Sequence, residues 1–312
     1  MNGLRWRFAG IAAAIILLAI LPLSDIDGAE KVYPPYTKRA NIAHRGASWD
    51  APEHTLEAYR LALKQGADFL EPDLQFSRDG ILVCLHDTTL ERTTDVAARY
   101  PERARLMKGK KTWPVSEFTL AEIQSLDAGS WKSAKFAGAK IPTFQEVIDL
   151  ARGRAGLFPE TKSPERFAAG QQTMEAALME ILKRNRLDQP GAEPKTPVVI
   201  QSFSEASLKR LRSELGCRLP LIFLTGSGDL SRQRLEEIRQ FAVGIGPNKA
   251  AIRQRPELVT DAHVLGLSVT AWTFRTGSTA PFPTVEAEMK HYLDTWKVDA
   301  VFTDEPGKFP RE

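Results

Sequence analysis

The sequence predicts an α/β fold, a TIM-like (β/α)8 barrel, and three observations lead to that prediction. From residue 40 onward, short apolar runs of β-type composition alternate with amphipathic helical patterns. The alternation continues almost to the C-terminus, which is typical of parallel α/β folds. Eight or nine strand-like runs favour a closed barrel over an open sheet, and 312 residues suit one barrel with insertions.

The predicted elements follow one another regularly, with two exceptions. The strand-like runs lie at 41–44, 69–75, 81–86, 156–162, 198–203, 221–225, 241–246, 268–274 and 300–303. The helical patterns lie at 55–65, 143–151, 167–186, 205–215, 231–240, 256–265 and 285–297. Too few residues separate the second and third strand-like runs for a crossover helix, so an irregular junction is expected there. The polar, turn-rich insertion at 87–140 is expected to be functional or a small subdomain, and not simply a second core.

Composition and charge are those of an ordinary globular protein. Lys plus Arg number 42 and Asp plus Glu number 39, so the net charge is only +3. The one basic cluster, Lys108, Lys110 and Lys111, is interpreted as a solvated loop. Nucleic-acid binding is not expected, because no basic stripe with interleaved aromatic residues is visible. Cys84 and Cys217 have no metal-site spacing and are expected to stay unpaired.

Residues 1–30 have the pattern of a signal peptide or an N-terminal membrane anchor. Arg5 and Arg7 precede an uncharged apolar stretch at 8–23, which is short for a spanning helix of about 20 residues. Asp27 makes a poor cleavage site, so a tethered form stays open. We therefore expect a periplasmic or other extracytoplasmic protein. A linker at 31–39, a barrel domain at 40–308 and a tail at 309–312 complete the predicted organisation.

Charged and titratable side chains end four successive strand-like runs. They are His44 and Arg45, then Glu71 and Asp73, then His86, then Glu160 and Lys162. Residues i and i+2 of a strand share a face, so Glu71 lies with Asp73 and Glu160 with Lys162. Barrel enzymes carry their catalytic groups at the C-terminal ends of strands. A buried core face would not hold such residues unless they were paired or bound to a metal.

These residue types are suited to phosphodiester cleavage. Three carboxylates without cysteine favour a hard cation, Mg²⁺ or Ca²⁺, over zinc. Two histidines can act as general acid and general base near neutral pH. The cation, together with Arg45 and Lys162, can neutralise a phosphoryl group.

A series of short motifs follows these runs in a fixed order. They are Ile42-Ala43-His44-Arg45-Gly46-Ala47, Pro52-Glu53-His54-Thr55-Leu56-Glu57-Ala58, Gln65-Gly66-Ala67-Asp68, Glu71-x-Asp73, Leu85-His86-Asp87-x-x-Leu90-x-Arg92-Thr93-Thr94, Glu160-Thr161-Lys162, Gln201-Ser202-Phe203-Ser204, Ala271-Trp272-Thr273 and Phe302-Thr303-Asp304-Glu305-Pro306. Over roughly residues 40–308 the chain resembles the glycerophosphodiester phosphodiesterase family. The continuation from Thr94 to Ala104 is similar to the periplasmic branch of that family.

The resemblance implies a TIM barrel that uses one divalent cation, often Ca²⁺ or Mg²⁺. It implies an acid–base pair of His44 and His86, cation ligands Glu71, Asp73 and Glu160, phosphate contacts Arg45 and Lys162, and a glycerol-pocket contact Trp272. Pro72 stands where the family often has an aliphatic residue, and Pro159 precedes Glu160. Because proline removes a ladder hydrogen bond, strand regularity is in doubt at both positions.

The predicted reaction is hydrolysis of a glycerophosphodiester, a small-molecule substrate, to glycerol 3-phosphate and an alcohol. One alternative is a phospholipase D-like enzyme acting on lysophospholipids. Another is a non-catalytic phosphate-ligand binding protein, which has no need of two acid–base histidines. Locally, Glu160 and Lys162 could form a structural ion pair, Trp272 could be a core residue, and Asp87 could be a partner of a histidine or of the metal. Glu53 is interpreted mainly as a first-turn acid of a helix.

Overall fold

The computed structural model describes residues 36, 38–167, 172–226 and 230–311. The predicted signal peptide or anchor at 1–30 lies outside these residues. None of the described helices is both long enough and apolar enough to cross a membrane.

Thirteen strands are present in the described part of the chain. They are β1 Ala40–His44, β2 Phe69–Glu71, β3 Asp73–Phe76, β4 Leu82–Cys84, β5 Arg105–Met107, β6 Lys110–Thr112, β7 Gly156–Leu157, β8 Glu160–Thr161, β9 Ile200–Ser202, β10 Leu221–Thr225, β11 Gly244–Pro247, β12 Ser268–Phe274 and β13 Ala300–Thr303. β2 with β3, and β7 with β8, are the two halves of single interrupted strands. When each interrupted strand is counted once, eight strands pair in parallel with their neighbours. The sheet closes because β1 pairs with both β2 and β13. The predicted (β/α)8 barrel is therefore confirmed.

Two prolines interrupt the second and third barrel strands. Pro72 separates β2 from β3, and Pro159 lies between β7 and β8. Proline has no backbone N–H to donate, so the ladder breaks at these points. Their carbonyls still accept hydrogen bonds, from Glu160 N to Pro72 O at 2.9 Å and from Gln201 N to Pro159 O at 3.0 Å. The breaks lie directly before Asp73 and Glu160. The irregularity expected from the sequence is therefore next to two of the three predicted cation ligands.

The third strand-like run, 81–86, is not a barrel strand. Its central part, β4, pairs antiparallel with β3, with Leu74 opposite Cys84. Leu85 N then donates to Asp73 O at 2.9 Å, so the hairpin returns the chain to the level of Asp73. The irregular junction expected here is thus a hairpin that brings His86 back to the strand ends.

Ten α-helices are found among the described residues. They are α1 Leu56–Lys64, α2 Val96–Arg99, α3 Leu120–Ser125, α4 Phe144–Ala151, α5 Met174–Arg184, α6 Glu205–Lys209, α7 Arg232–Ile238, α8 Lys249–Gln254, α9 Glu257–Val264 and α10 Val285–Asp294. A π-helical segment, Arg210–Glu214, follows α6. Ser and Thr side chains cap many of them; at α4, Thr143 and Glu146 form a capping box. Each predicted helical pattern contains a helix, while α8 and the two helices of the insertion, α2 and α3, were not predicted.

The buried apolar side chains of the described residues form three clusters. One fills the barrel interior around Ile42, Phe69 and Phe302, and a larger one lies between strands and helices. The third belongs mainly to the insertion at 87–140 and includes Trp113 and Phe118. The insertion therefore contains a small apolar cluster of its own. Its few large apolar residues can form this cluster because they pack on one another and on Val83 and Leu85, which precede the insertion. Both cysteines are buried and free.

Candidate active site

The turn after β1 positions His44 and Arg45. Arg45 and Gly46 have positive φ, 58° and 85°, so the chain turns sharply at the strand end. A Cβ at Gly46 would lie 2.7 Å from the backbone carbon of Ala58, so the turn packs closely on α1. The Arg45 backbone N donates to the Glu71 carboxylate at 2.8 Å. A main-chain group thus orients the first predicted cation ligand.

The three predicted ligands Glu71, Asp73 and Glu160 lie together. All are buried, and one carboxylate oxygen from each lies within 4.8 Å of the others. Burial and then the neighbouring carboxylates raise the pKa values of Glu71 and Glu160 well above the ordinary value. Burial alone would also raise the pKa of Asp73, but Lys162 and His54 hold it well below its usual value. This all-oxygen donor set fits a hard divalent cation.

Lys162 and Arg45 supply positive charge beside the triad. Lys162 Nζ lies 3.1 Å from Glu160 Oε1 and 3.5 Å from Asp73 Oδ1. Arg45 Nε lies 3.3 Å from Asp73 Oδ2. When all three carboxylates are ionised, as cation binding requires, they leave one net negative charge against the two positive side chains. A divalent cation would change that to one positive charge, which complements the single negative charge of a phosphodiester.

Both predicted acid–base histidines are oriented by a carboxylate. His44 Nδ1 lies 2.6 Å from Asp304 Oδ1, and His86 Nδ1 lies 2.7 Å from Asp87 Oδ1. Within the described residues, neither Nε2 has a hydrogen-bond partner, so both are free for chemistry. Burial, and then the Arg45 charge, lower the pKa of His44. Burial alone would raise the pKa of Asp304, but the His44 contact lowers it, so this carboxylate stays ionised.

A cavity of about 210 Å³ joins these groups. Its polar walls are His44, Arg45, Glu71, His86, Glu160, Lys162 and Gln201, and its apolar walls include Phe203, Trp272 and Phe302. Asp73 does not line this cavity, although its carboxylate belongs to the triad. Trp272 is held by its Nε1, which donates to Gly246 O at 2.7 Å, and its ring contacts Phe203 edge-on. Apart from Asp73, all the site residues predicted from the sequence therefore line this one cavity.

Several residues of this site were not predicted as functional. His54 is buried, with Nε2 2.9 Å from Asp73 Oδ2 and Nδ1 2.7 Å from the Tyr59 hydroxyl. Gln201 Nε2 donates to Glu71 Oε1 at 3.1 Å. Both belong to motifs recognised in the sequence, and Asp304 directly follows β13. The strand-end rule that selected His44 would have selected Asp304 as well.

The interpretation of Glu53 as a first-turn helix acid is wrong. α1 begins at Leu56 with Thr55 as its N-cap, so Glu53 lies before the helix. Its carboxylate accepts from Arg45 at 3.1 Å and from Arg92 at 2.7 and 2.9 Å. Burial alone would raise the pKa of Glu53, but Arg92 and Arg45 lower it to about 2. Arg92 also binds Asp87, so one ion-pair chain links the two histidine loops.

A barrel with a buried carboxylate triad, two positive side chains beside it and two carboxylate-oriented histidines at its strand ends has the equipment of a phosphodiesterase. Comparison with known proteins agrees. The sequence model of the glycerophosphoryl diester phosphodiesterase family matches residues 44–308, and the chain belongs to that family.

Relatives of known name resemble this chain over most of its length. A glycerophosphodiester phosphodiesterase of Bacillus subtilis is 36% identical over 86% of this chain and 84% of its own. A probable glycerophosphodiester phosphodiesterase of Mycobacterium tuberculosis is 33% identical over 74% and 80%. Among solved structures, an Oleispira antarctica phosphodiesterase in complex with the product sn-glycerol-3-phosphate has a TM-score of 0.68 and 30% identity, over 86% of this chain and 93% of its own.

Proposed function

We propose that this chain hydrolyses glycerophosphodiesters to glycerol 3-phosphate and an alcohol. The observation that carries the proposal is a single cavity holding two histidines, each with a free Nε2, beside a buried carboxylate triad. The names of the relatives support the same reaction, as does the product bound to the Oleispira antarctica phosphodiesterase.

The proposed cofactor is one divalent cation, Ca²⁺ or Mg²⁺, held by Glu71, Asp73 and Glu160. When bound, such a cation supplies Lewis-acid stabilisation of negative charge on the phosphoryl oxygens. Arg45 and Lys162 orient the phosphate and share its charge. His54 and Gln201 keep the carboxylates in position through their hydrogen bonds to Asp73 and Glu71.

The two histidines carry the protons. One Nε2 accepts the proton of the glycerol 2-hydroxyl as its oxygen attacks phosphorus, and the other donates a proton to the departing alcohol oxygen. One P–O bond forms and one breaks, which gives a cyclic phosphate; water then opens it with the histidines in exchanged roles. The adjacent hydroxyl is favoured because intramolecular attack has an effective concentration of about 10⁵–10⁸ M. Direct attack by water is the alternative.

The decisive measurement is hydrolysis of glycerophosphocholine with product identification. Glycerol 3-phosphate and choline are expected, and chelation with EDTA is expected to abolish turnover. Full turnover after chelation would contradict the cation proposal. Faster release of choline from lysophosphatidylcholine would favour the phospholipase D-like alternative. Equal rates for a diester that lacks the 2-hydroxyl would show that water attacks directly.

We also propose an extracytoplasmic location, in the periplasm or an equivalent compartment. The support is the sequence alone: Arg5 and Arg7 before the apolar stretch at 8–23. The poor cleavage site leaves a membrane-tethered form as part of this proposal. Fractionation of the native host tests it, and full-length protein in the soluble cytoplasmic fraction would contradict it.

A further inference from the structure

A second, wider space opens beside the catalytic cavity. This groove measures about 750 Å³, against about 210 Å³ for the cavity, and the two share His44, Arg45, Trp272 and Thr273. The rest of its wall comes from segments that follow barrel strands: Trp49 after β1, Trp131 and Lys132 in the insertion, Arg253 in α8, and Arg275 after β12. Since these segments lie at the catalytic end of the barrel, a ligand held at the histidines can extend into the groove.

Three cations on the groove wall form no direct ion pair with a carboxylate of the described residues. Lys132 Nζ donates to the Ser48 carbonyl at 2.8 Å, and Arg253 Nη1 donates to the Ala280 carbonyl at 2.5 Å. The guanidinium of Arg275, which is exposed, makes no ion pair or hydrogen bond with the described side chains. A carbonyl oxygen does not neutralise a cation, so these three charges remain available to a ligand.

Most of the other charged groups of the groove are already paired with an opposite charge. Lys249 is buried, with Nζ 2.9 Å from Glu288 Oε2. Of the lining carboxylates, Glu53 is bound by arginines, whereas Asp304 keeps its negative charge beside His44, whose pKa is lowered, so the three unpaired cations face one such carboxylate. The groove therefore has a positive field.

Two tryptophans give the groove its apolar surface. Trp49 is 43% exposed and Trp131 is 41% exposed, a large exposure for side chains that normally pack. Aromatic faces can attract a quaternary ammonium by cation–π interaction. Here Lys132 Nζ lies 5.9 Å from the Trp131 ring centre, and the nearby arginines repel a second cation. The rings are better suited to the carbon skeleton of an alcohol.

We propose that this groove binds the leaving alcohol, and that the preferred alcohol carries its own anionic group, a phosphate or a carboxylate. The inference rests on the proposed diesterase function and deepens it. The anionic group lies among Lys132, Arg253 and Arg275, and the carbon skeleton lies against Trp49 and Trp131. The cavity of about 210 Å³ is smaller than the pockets that hold drug-sized ligands, while the groove of about 750 Å³ is within their range.

Three diesters with the same glycerophosphate half test this inference. Their leaving alcohols are choline, glycerol, and glycerol that carries a terminal phosphate monoester. We expect kcat/KM to be highest for the phosphate-bearing alcohol and lowest for choline, with at least about a fivefold difference between these two. Raising the salt concentration from about 50 mM to about 500 mM should reduce the difference, since it screens the wall charges.

Arg253→Gln and Arg275→Gln identify the source of the preference. Two values of kcat/KM are compared, one for the diester of phosphate-bearing glycerol and one for the diester of glycerol. Each variant is expected to lower the ratio of the first to the second by about three- to fivefold. The matched control is Arg239→Gln, an exposed arginine at the C-terminal end of α7, which should leave the ratio unchanged.

Each outcome of this experiment has a distinct meaning. Equal kcat/KM for all three diesters, or a ratio unchanged in both groove variants, would overturn the groove assignment while diesterase activity stands. Choline as the preferred leaving alcohol would also overturn it. No hydrolysis of any of the three diesters would overturn the proposed function, and the groove inference with it.

Discussion

At the residue scale, the contact between His44 and Asp304 sets the protonation of one acid–base group. Burial and Arg45 lower the pKa of His44, whereas the Asp304 hydrogen bond raises it. Asp304→Asn removes that carboxylate charge, so the pKa of His44 should fall further. We expect the limb of the kcat–pH profile that reports His44 to move to lower pH and kcat to fall about tenfold or more.

Two further variants distinguish a positioning role of Asp304 from the acid–base role of His44. His44→Ala should lower kcat by about 10²-fold or more, the usual contribution of a general acid or base. Asp299→Asn removes a similar His–Asp contact, with His263 outside the cavity, and should leave the profile in place. A profile in Asp304→Asn that matches the wild type would remove Asp304 from this role.

Glu160 offers the second prediction at this scale. Glu160→Gln keeps the side-chain shape but removes one negative charge from the triad, so cation affinity should fall by more than about 100-fold. Titration calorimetry with Ca²⁺ and Mg²⁺ measures it. The matched control is Glu175→Gln, a buried glutamate paired with Arg210 outside the triad, which should bind the cation like the wild type. Wild-type affinity in Glu160→Gln would exclude Glu160 as a ligand.

The sequence predicted most of the site residues at strand ends, although it passed over Gln201 in β9 and Asp304 after β13, and it missed those fixed by loops. His44, Glu71 and Glu160 follow from the side-chain alternation of strands. His54 could not be placed this way, because it has a φ of 56° in the loop before α1 and reaches Asp73 only through the tertiary fold. Arg92 likewise reaches Glu53 across 39 positions of the chain. Periodicity carries no information about such contacts.

At the element scale, the differences between the predicted and the observed strands and helices have local physical causes. The run at 81–86 has strand composition, but whether it joins the barrel depends on pairing direction, and a short loop permits only an antiparallel return. α8 spans only Lys249–Gln254, too short for a helical period to stand out beside α9. The type of a longer element was therefore predictable from the sequence, whereas the strand with which it pairs was not.

The insertion should respond to mutation as a separate unit. Phe118 is fully buried in the insertion cluster, and Phe118→Ala should cost about 3–5 kcal/mol of local stability. We expect faster amide hydrogen exchange within 87–140 and little change in the barrel strands. Leu106→Ala, at a side chain 75% exposed on the β5–β6 hairpin, is the control and should leave exchange unchanged. Uniformly faster exchange across β9–β13 would show that the insertion and the barrel unfold together.

The end of α9 is joined to the start of β13 by a pH-dependent contact. His263, in the last turn of α9, lies 2.9 Å from Asp299 through Nε2, and this hydrogen bond raises the His263 pKa. The stabilisation is therefore full below about pH 6.5, the ordinary histidine value, and is lost as pH rises through the folded pKa. His263→Gln should lower Tm by about 1 °C at pH 5.5 and not at pH 8.5, because the pair is partly exposed. Calorimetry at both pH values measures it, and an equal loss at both would contradict the prediction.

At the scale of the whole molecule, the triad joins parts of the chain that are distant in sequence. Glu71 and Asp73 come from the second barrel strand, and Glu160 comes from the third, beyond the insertion. The parallel pairing of β3 with β8 sets Asp73 beside Glu160. The unfolded chain cannot hold these carboxylates together, so a cation that binds them binds almost only the folded barrel.

That selectivity predicts a cation-dependent unfolding temperature. A ligand at about 100 times its Kd stabilises the folded state by about 2.7 kcal/mol, which corresponds to a Tm increase of about 5–10 °C for a domain of this size. The increase should follow added Ca²⁺ or Mg²⁺ and reverse with EDTA. In Glu160→Gln it should require a much higher cation concentration, while Glu175→Gln should respond like the wild type. Because Tm is measured without substrate, it separates cation binding from catalysis. A Tm independent of cation in active wild-type protein would mean that the triad acts without one.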